Sequence, residues 1–150
     1  MAALIRRLRK SEQGAEVIEM VLVLPLLLGL LFGLVDFGFL FQQYVVMTNA
    51  AAEGARVASL PGYGAGDVTA RVADYATNGG VKGAVNTVTT PVVLVGPGGT
   101  SWPGSQVTVT HVYTYQFIGP LAALLGGSMG PNVTLTARST VRHQVAAAPE

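Results

Sequence analysis

Sixteen consecutive residues, 20–35, carry no charged or strongly polar side chain, and eight of them are leucine. Past Asp36 the sequence is apolar again as far as Phe41, so residues 17–41 form one apolar segment. As a helix this segment is about 37 Å long, which is enough to cross a hydrocarbon core of about 30 Å. A chain of 150 residues has little interior in which to enclose a helix that is apolar on every side. The segment therefore predicts one membrane span.

The distribution of charge gives this span a direction. Four of the nine basic side chains lie within the first ten residues, whereas residues 11–150 carry five basic and eight acidic side chains, a net charge of −3. Basic residues beside a membrane span are retained in the cytoplasm. We therefore expect a single-pass protein whose N-terminus is cytoplasmic and whose C-terminal part lies outside the membrane.

Composition excludes several classes of protein. Only 11% of the residues are charged, against about 25% in a typical globular domain, which favours a membrane or an assembly context. Without cysteine the chain has no disulfide, thiolate metal site or cysteine nucleophile. Beyond the N-terminus it offers no basic face and no aromatic residues interleaved with Lys or Arg, so nucleic acid is not an expected partner.

The junction between the basic N-terminus and the span has a distinctive spacing. Gly14 offers a peptidase a flexible and unhindered peptide bond, and Glu19 follows five residues later. Cleavage after Gly14 would give Ala15 a free ammonium group, one helical turn from Glu19 on the same face. Glu19 could then pair with this ammonium, or with that of a neighbouring subunit and so set their register. Alternatively, Glu19 only marks the membrane edge, where a carboxylate is tolerated better than at the centre. The spacing leaves both readings open.

Small residues recur at every fourth position along the predicted helix. One pair lies within the span and a second series lies beyond it, so each set shares one helix face. Faces of this kind let helix backbones approach closely, and they are candidate contacts with other transmembrane helices or subunits. Glycine is also common in membrane helices that make no such contact. The residues concerned are Gly29 and Gly33 in the span, and Ala50, Gly54 and Ala58 beyond it.

Other side chains predict details of the same helix. Pro25 removes one backbone hydrogen bond inside the span and bends the helix. Asp36 marks the outer end of the span. Glu53 and Arg56, three residues apart, form a solvated pair worth a few tenths of a kcal/mol. The helix is predicted over residues 16–59 and ends at the sequence Leu60-Pro61-Gly62.

Taken in order, these features resemble a known family. The basic leader, Gly14 and Glu19 resemble the signal of type IV prepilins. The pairs and motifs that follow resemble the TadE-like minor pilins, or pseudopilins, of tight-adherence (Flp) pilus systems, over residues 14 to about 60 and more weakly in the last strand. The motifs that carry this second resemblance are Leu24-Pro25, Val35-Asp36-Phe37-Gly38 and the segment 51–58, which contains Glu53, Gly54, Ala55 and Arg56.

The resemblance implies a role and a set of partners. It implies that a prepilin peptidase cleaves between Gly14 and Ala15 and that the protein resides in the bacterial cytoplasmic (inner) membrane, in contact with lipid. It also implies partners among other pilins or pseudopilins and the pilus assembly platform, with possible association with the pilus after processing. Pilus assembly is structural work, so we expect neither enzymatic activity nor a cofactor.

The remaining residues predict a small α+β domain. Glycine-rich residues 62–66 precede a short amphipathic helix with Asp67 as its N-cap and with Val68, Val72 and Tyr75 on its apolar face, closed by residues 78–80. Period-two patterning then predicts an antiparallel sheet. Its parts are one or two short strands over 85–95 broken at Pro91, a turn over 96–104, long strands over 106–117 and 132–145, and an apolar helical turn or membrane-proximal loop over 121–125.

No constellation of residues in this domain predicts catalysis. The two histidines, His111 and His143, fall on the apolar faces of the two long strands. If Phe117 faces Val133, the two imidazole rings lie about 13 Å apart, too far to share a metal ion. Trp102, in a Gly/Pro-rich loop, is either a binding anchor or a tether of the loop to the sheet.

The sequence therefore predicts three segments. Residues 1–14 form a basic leader, residues 15–60 a transmembrane and assembly helix, and residues 61–150 an extracytoplasmic, pilin-like α+β domain. The predicted function is biogenesis of a tight-adherence pilus for adherence or secretion. The alternative is a single-pass, membrane-anchored binding protein that never enters a filament.

Overall fold

The computed structural model describes residues 2–124, 126–127 and 132–143, with side chains from Ala15 onward except that of Leu124. The chain folds into α and β elements, as the sequence predicted. By their contacts the described residues form two units, the first drawn from residues 1–37 and 115–130 and the second from residues 38–114 and 131–150. The elements in chain order are α1 (Ala2–Ala58), α2 (Ala65–Asn78), β1 (Val85–Val95), a 3-10 turn (Pro97–Gly99), β2 (Ser101–Thr114), α3 (Ile118–Leu124) and β3 (Asn132–Arg142).

Helix α1 is longer than predicted at its N-terminal end. It begins at Ala2 rather than near residue 16, because residues 2–13 are mostly good helix formers and include neither Gly nor Pro. It continues through Pro25. The predicted end is confirmed: the hydroxyl of Ser59 donates to the carbonyl of Arg56 at 2.7 Å, and Pro61 follows.

Helix α1 has the length and composition of a membrane span. Its apolar window has a mean hydropathy of 2.6, and none of that window is buried by the rest of the chain. Leu26, Leu30 and Leu34, for instance, are each at least 70% exposed. An exposed apolar surface of this extent needs a lipid or protein partner to remove it from water.

The N-cap of helix α2 lies three residues before its predicted position at Asp67. Gly64 is the N-cap, and Asp67 lies in the first turn, where its carboxylate accepts a hydrogen bond from the Gly64 backbone N–H at 2.8 Å. Val68 and Val72 are buried as expected, but Ala76 replaces Tyr75 as the third buried residue. Asp67 therefore stabilises the helix start from inside the helix, where a carboxylate also favours the positive end of the helix dipole.

The sheet has three antiparallel strands in the order β1-β2-β3. Strand β1 is not broken at Pro91, which lies opposite Ser105 in the ladder. An edge strand tolerates proline because only one of its sides needs hydrogen bonds. The turn before β2 is shorter than predicted: the N–H of Gly96 donates to the carbonyl of Thr100 at 2.8 Å, and Trp102 already belongs to β2.

The predicted register of β2 and β3 was wrong by four residues. Val133 faces Tyr113 rather than Phe117, and His111 faces Leu135. An even shift leaves every side chain on its predicted face. The core of this unit combines inward side chains of β2 and β3 with residues of α1 and α2. Its buried apolar residues are Met47, Ala50, Ala51, Ala55, Val68, Val72, Ala76, Val81, Val107, Val109, Tyr113, Leu135 and Ala137.

Candidate functional site

The predicted processing site lies inside α1. The helix runs without interruption across the bond between Gly14 and Ala15. Residues 15–24 are exposed, and Glu19 is among them. Neither of the two ion pairs found among the described residues includes Glu19. Its carboxylate is therefore accessible to a partner outside this chain.

The glycine pair in the span contacts α3 within the same unit. A Cβ atom added to Gly33 would lie 3.1 Å from Cδ1 of Ile118, and one added to Gly29 would lie 3.8 Å from Cδ2 of Leu121. Between them Phe32 stacks on Phe117, with ring centroids 5.6 Å apart and an interplanar angle of 16°. This glycine face thus has a partner inside the chain. Its predicted contact with other helices stays a prediction.

Asp36 does more than mark the end of the span. Its side chain is completely buried. Oδ1 accepts the backbone N–H of Gln116 at 3.0 Å, and Oδ2 accepts those of Phe117 at 3.0 Å and Ile118 at 2.7 Å. These N–H groups precede and begin α3, where a helix leaves its backbone donors unpaired. Sequence reasoning missed this contact of Asp36, because a single acid in an apolar run also fits the simpler reading of a membrane edge.

The second series of small residues on α1 packs inside the other unit. Ala50 is completely buried, Gly54 is buried, and Ala58 is half-buried. A Cβ atom on Gly54 would lie only 2.5 Å from Cγ2 of Val72 and 3.4 Å from Cγ1 of Val107. Gly54 therefore allows α1, α2 and β2 to meet at one point. Here too the partner is intramolecular, and packing against other subunits stays a prediction.

Glu53 pairs mainly with Arg71 of α2 and only weakly with Arg56. Its Oε1 accepts hydrogen bonds from Nη2 of Arg71 at 2.7 Å and from Nε at 3.2 Å, whereas Nη1 of Arg56 lies 3.7 Å from Oε2. The predicted intrahelical pair with Arg56 is present, and Arg71 is a closer partner that was not predicted. The hydrogen bond from Arg71 holds the pKa of Glu53 below its ordinary value, against the opposing effect of partial burial. The ion pair between Glu53 and Arg71 thus links α1 to α2.

The features described so far lie along one stretch of α1, and a family model covers that stretch. Residues 14–56 match the TadE-like protein family. The resemblance inferred from sequence motifs is thereby confirmed over this stretch, which includes Gly14, Glu19, Asp36 and Gly54. The match supports a protein associated with the tight-adherence (Tad) pilus system, and the family is structural in character. No curated protein and no solved structure matches the chain.

Beyond the TadE-like stretch the structure separates the two histidines further than predicted. Nδ1 of His111 lies 3.0 Å from the carbonyl oxygen of Ala84, and Nε2 of His143 lies 2.7 Å from the hydroxyl of Ser105. The Ser–His contact was not predicted, because it depends on the register of β3. Hydrolytic serines need a base that a third group orients. Within the described ranges no such group hydrogen-bonds to His143, and no three His, Asp or Glu side chains gather to hold a metal ion.

Trp102 lies near the start of strand β2. The guanidinium of Arg142 lies 4.5 Å from the centroid of its ring, and the backbone of Gly96 approaches the ring from the preceding turn. These contacts support the reading of Trp102 as a tether rather than a binding anchor. A cation over an aromatic ring contributes about 0.5–1 kcal/mol at an exposed site.

Proposed function

We propose that this chain is a TadE-like minor pilin or pseudopilin that takes part in biogenesis of a tight-adherence pilus, for adherence or secretion. The observation that carries the proposal is the coincidence of the family match, residues 14–56, with a long helix whose apolar surface the chain leaves uncovered. The work of such a protein is assembly. Its partners are other pilins or pseudopilins, the assembly platform and membrane lipid.

The proposed topology has three parts. Residues 1–14 stay in the cytoplasm as a basic leader, residues 15–60 anchor the protein in the bacterial inner membrane, and residues 61–150 lie outside. The clustering of Arg6, Arg7, Arg9 and Lys10 before the span supports this orientation.

We further propose that a prepilin peptidase cleaves between Gly14 and Ala15. Because this bond lies within a helix, the peptidase has to unwind it locally, and glycine lowers that cost by about 0.5–1 kcal/mol relative to alanine. The new ammonium group on Ala15 would lie about 6 Å along the helix axis from Glu19. The exposed carboxylate of Glu19 then binds this group, or that of the next subunit in a filament.

In the membrane, the exposed leucines of α1 contact lipid. On entry into a filament, neighbouring helices replace this lipid. The side chains available for such exchange include Leu26, Leu30 and Leu34, whereas Gly29 and Gly33 are already covered by α3.

The first test is the intact mass and N-terminal sequence of the protein recovered from its own host's membranes. A chain that begins at Ala15 supports processing and pilin function. A chain that still begins at Met1 contradicts processing and favours a permanently anchored protein.

The second test compares Glu19→Ala with the matched variant Glu16→Ala. Both carboxylates are exposed on α1, but only Glu19 lies one turn from the new N-terminus. We expect the Glu19 variant to lose pilus assembly and co-purification of pilin partners while the Glu16 variant retains both. Equal behaviour of the two variants would favour the alternative, an anchored binding protein outside the filament.

A further inference from the structure

Helix α3 differs from α2 in having no polar surface at all. Its sequence from Ile118 to Leu124 contains only Ile, Gly, Pro, Leu and Ala, and no Asp, Glu, Lys or Arg occurs between Lys82 and Arg138. Its outward residues include Pro120 and Ala123, and Phe117, just before it, is 42% exposed. The exposed face of α2, in contrast, carries charged side chains such as Arg71 and Asp74. A helix that is apolar on all sides belongs in a core or in a membrane.

The contacts of α3 place it beside the membrane-spanning part of α1. Leu121 and Ile118 lie against Gly29 and Gly33, and Asp36 binds the start of α3. With Glu19 at the cytoplasmic edge, a hydrocarbon core of about 30 Å holds about 20 helical residues and ends near residue 39. Gly29 then lies about 15 Å inside the outer boundary, close to the bilayer midplane. The whole contact of α3 with α1 therefore falls within the outer half of the bilayer.

Backbone polar groups at both ends of α3 are paired within the protein. Polar groups of the backbone must be paired inside the protein, because lipid offers them no partner. At the N-terminal end the carboxylate of Asp36 accepts three backbone N–H groups. At the C-terminal end Gly126 donates to the carbonyl of Ala123 at 3.2 Å and Gly127 to that of Ala122 at 2.8 Å, with Gly126 at φ +76°. This pair of bonds is a Schellman closure.

We propose that α3, with the preceding Phe117, is a second membrane-inserted element that enters the outer leaflet from the side of the C-terminal domain and contacts lipid acyl chains. The inference rests on the proposal that α1 spans the membrane. Lipid is the occupant because α3 packs on α1 at Gly29 and Gly33, and the neighbouring leucines of α1, Leu26, Leu30 and Leu34, are themselves exposed. Asp36 is tolerated inside the hydrocarbon region because its carboxylate is enclosed and occupied by backbone donors.

The test is depth-dependent fluorescence quenching in vesicles. The chain has no cysteine, so single cysteines can carry an environment-sensitive fluorophore without other changes. The full-length protein is reconstituted into phosphatidylcholine vesicles with labels at Ala123→Cys, at Leu30→Cys on the span and at Val93→Cys on β1, all three exposed positions. Each label is quenched by lipid with a nitroxide in the middle of its acyl chain, and separately by iodide in the water. A Pro120→Cys variant repeats the α3 measurement at a second exposed position.

We expect the labels on α3 and at residue 30 to be quenched by the lipid nitroxide and to be several-fold less sensitive to iodide than the label at residue 93. If the α3 labels behave like residue 93 while residue 30 reports lipid, α3 lies outside the membrane and the inference is wrong, although α1 still spans. If residue 30 is also open to iodide, the membrane proposal itself fails. If the α3 labels are shielded from both quenchers, protein rather than lipid covers α3, and the inference is overturned.

Discussion

Removing the carboxylate of Asp36 should release the start of α3. In the Asp36→Ala variant the N–H groups of Gln116, Phe117 and Ile118 lose their acceptors, at present 2.7–3.0 Å away. A buried donor without a partner costs about 1–3 kcal/mol, so three of them cost about 3–9 kcal/mol. That is more than a helix of seven residues can absorb. The expected response is local opening of α3 rather than unfolding of the whole chain.

The assay is amide hydrogen exchange of the full-length protein in lipid nanodiscs. Even the lower figure of about 3 kcal/mol corresponds to about 100-fold faster exchange at these three amides. Asp36→Asn keeps one acceptor oxygen, which can serve the two donors that share Oδ2 but not the third, so we expect an acceleration of about 10-fold. Gly38→Ala is the matched control, because a Cβ atom at Gly38 has no neighbour within 4 Å. Exchange in Asp36→Ala within twofold of this control would refute the capping argument.

Three further predictions concern the other unit. Gly54→Ala should lower the free energy of unfolding by about 1–3 kcal/mol, measured in urea, because the new Cβ would lie 2.5 Å from Val72, and Val72→Ala should restore part of the loss. Because Arg71 holds the pKa of Glu53 below its ordinary value of 4.5, the ionised pair stabilises the fold above that pH, and the contribution disappears as the pH falls through the lowered pKa. Thermal melts should therefore show a smaller acid-induced drop in Tm for Arg71→Met than for the unmodified chain, and identical profiles would count against the pair. Gly96→Ala should shift the emission of the single tryptophan, because the added methyl group would overlap the Trp102 ring, whereas Gly66→Ala, in open space and without a positive φ, should leave the emission unchanged.

The features of α1 that depend on neighbouring residues could be predicted from the sequence. The uncharged run specifies the apolar helix, and Leu60-Pro61-Gly62 specifies its end, because both effects act within a few residues. The start of α2 was misplaced for a related reason. A carboxylate such as that of Asp67 stabilises a helix equally well from the cap or from the first turn, so composition alone does not distinguish the two.

The partners of Asp36 and Glu53 could not be predicted, because they come from distant parts of the chain. Asp36 binds backbone groups 80 or more residues away, and Glu53 prefers Arg71 to the nearer Arg56. The register of β3 was wrong for the same reason. Strand β2 stops at Thr114, and the residues that follow direct their N–H groups to Asp36 instead of continuing the ladder. The alternation of apolar and polar residues in a strand specifies which side chains share a face. It does not specify the residue at which hydrogen bonding to the neighbouring strand ends.

The position of β1 at the edge of the sheet bears on how the protein avoids uncontrolled association. This strand contains eleven residues rich in valine and threonine and no charged side chain, a composition that favours pairing with identical strands of other molecules. Pro91, at its middle, has no N–H group to donate to an incoming strand. It leaves two short segments, 85–90 and 92–95, instead of one continuous edge. Pro91 thus limits growth of the sheet by strand addition at its β1 edge.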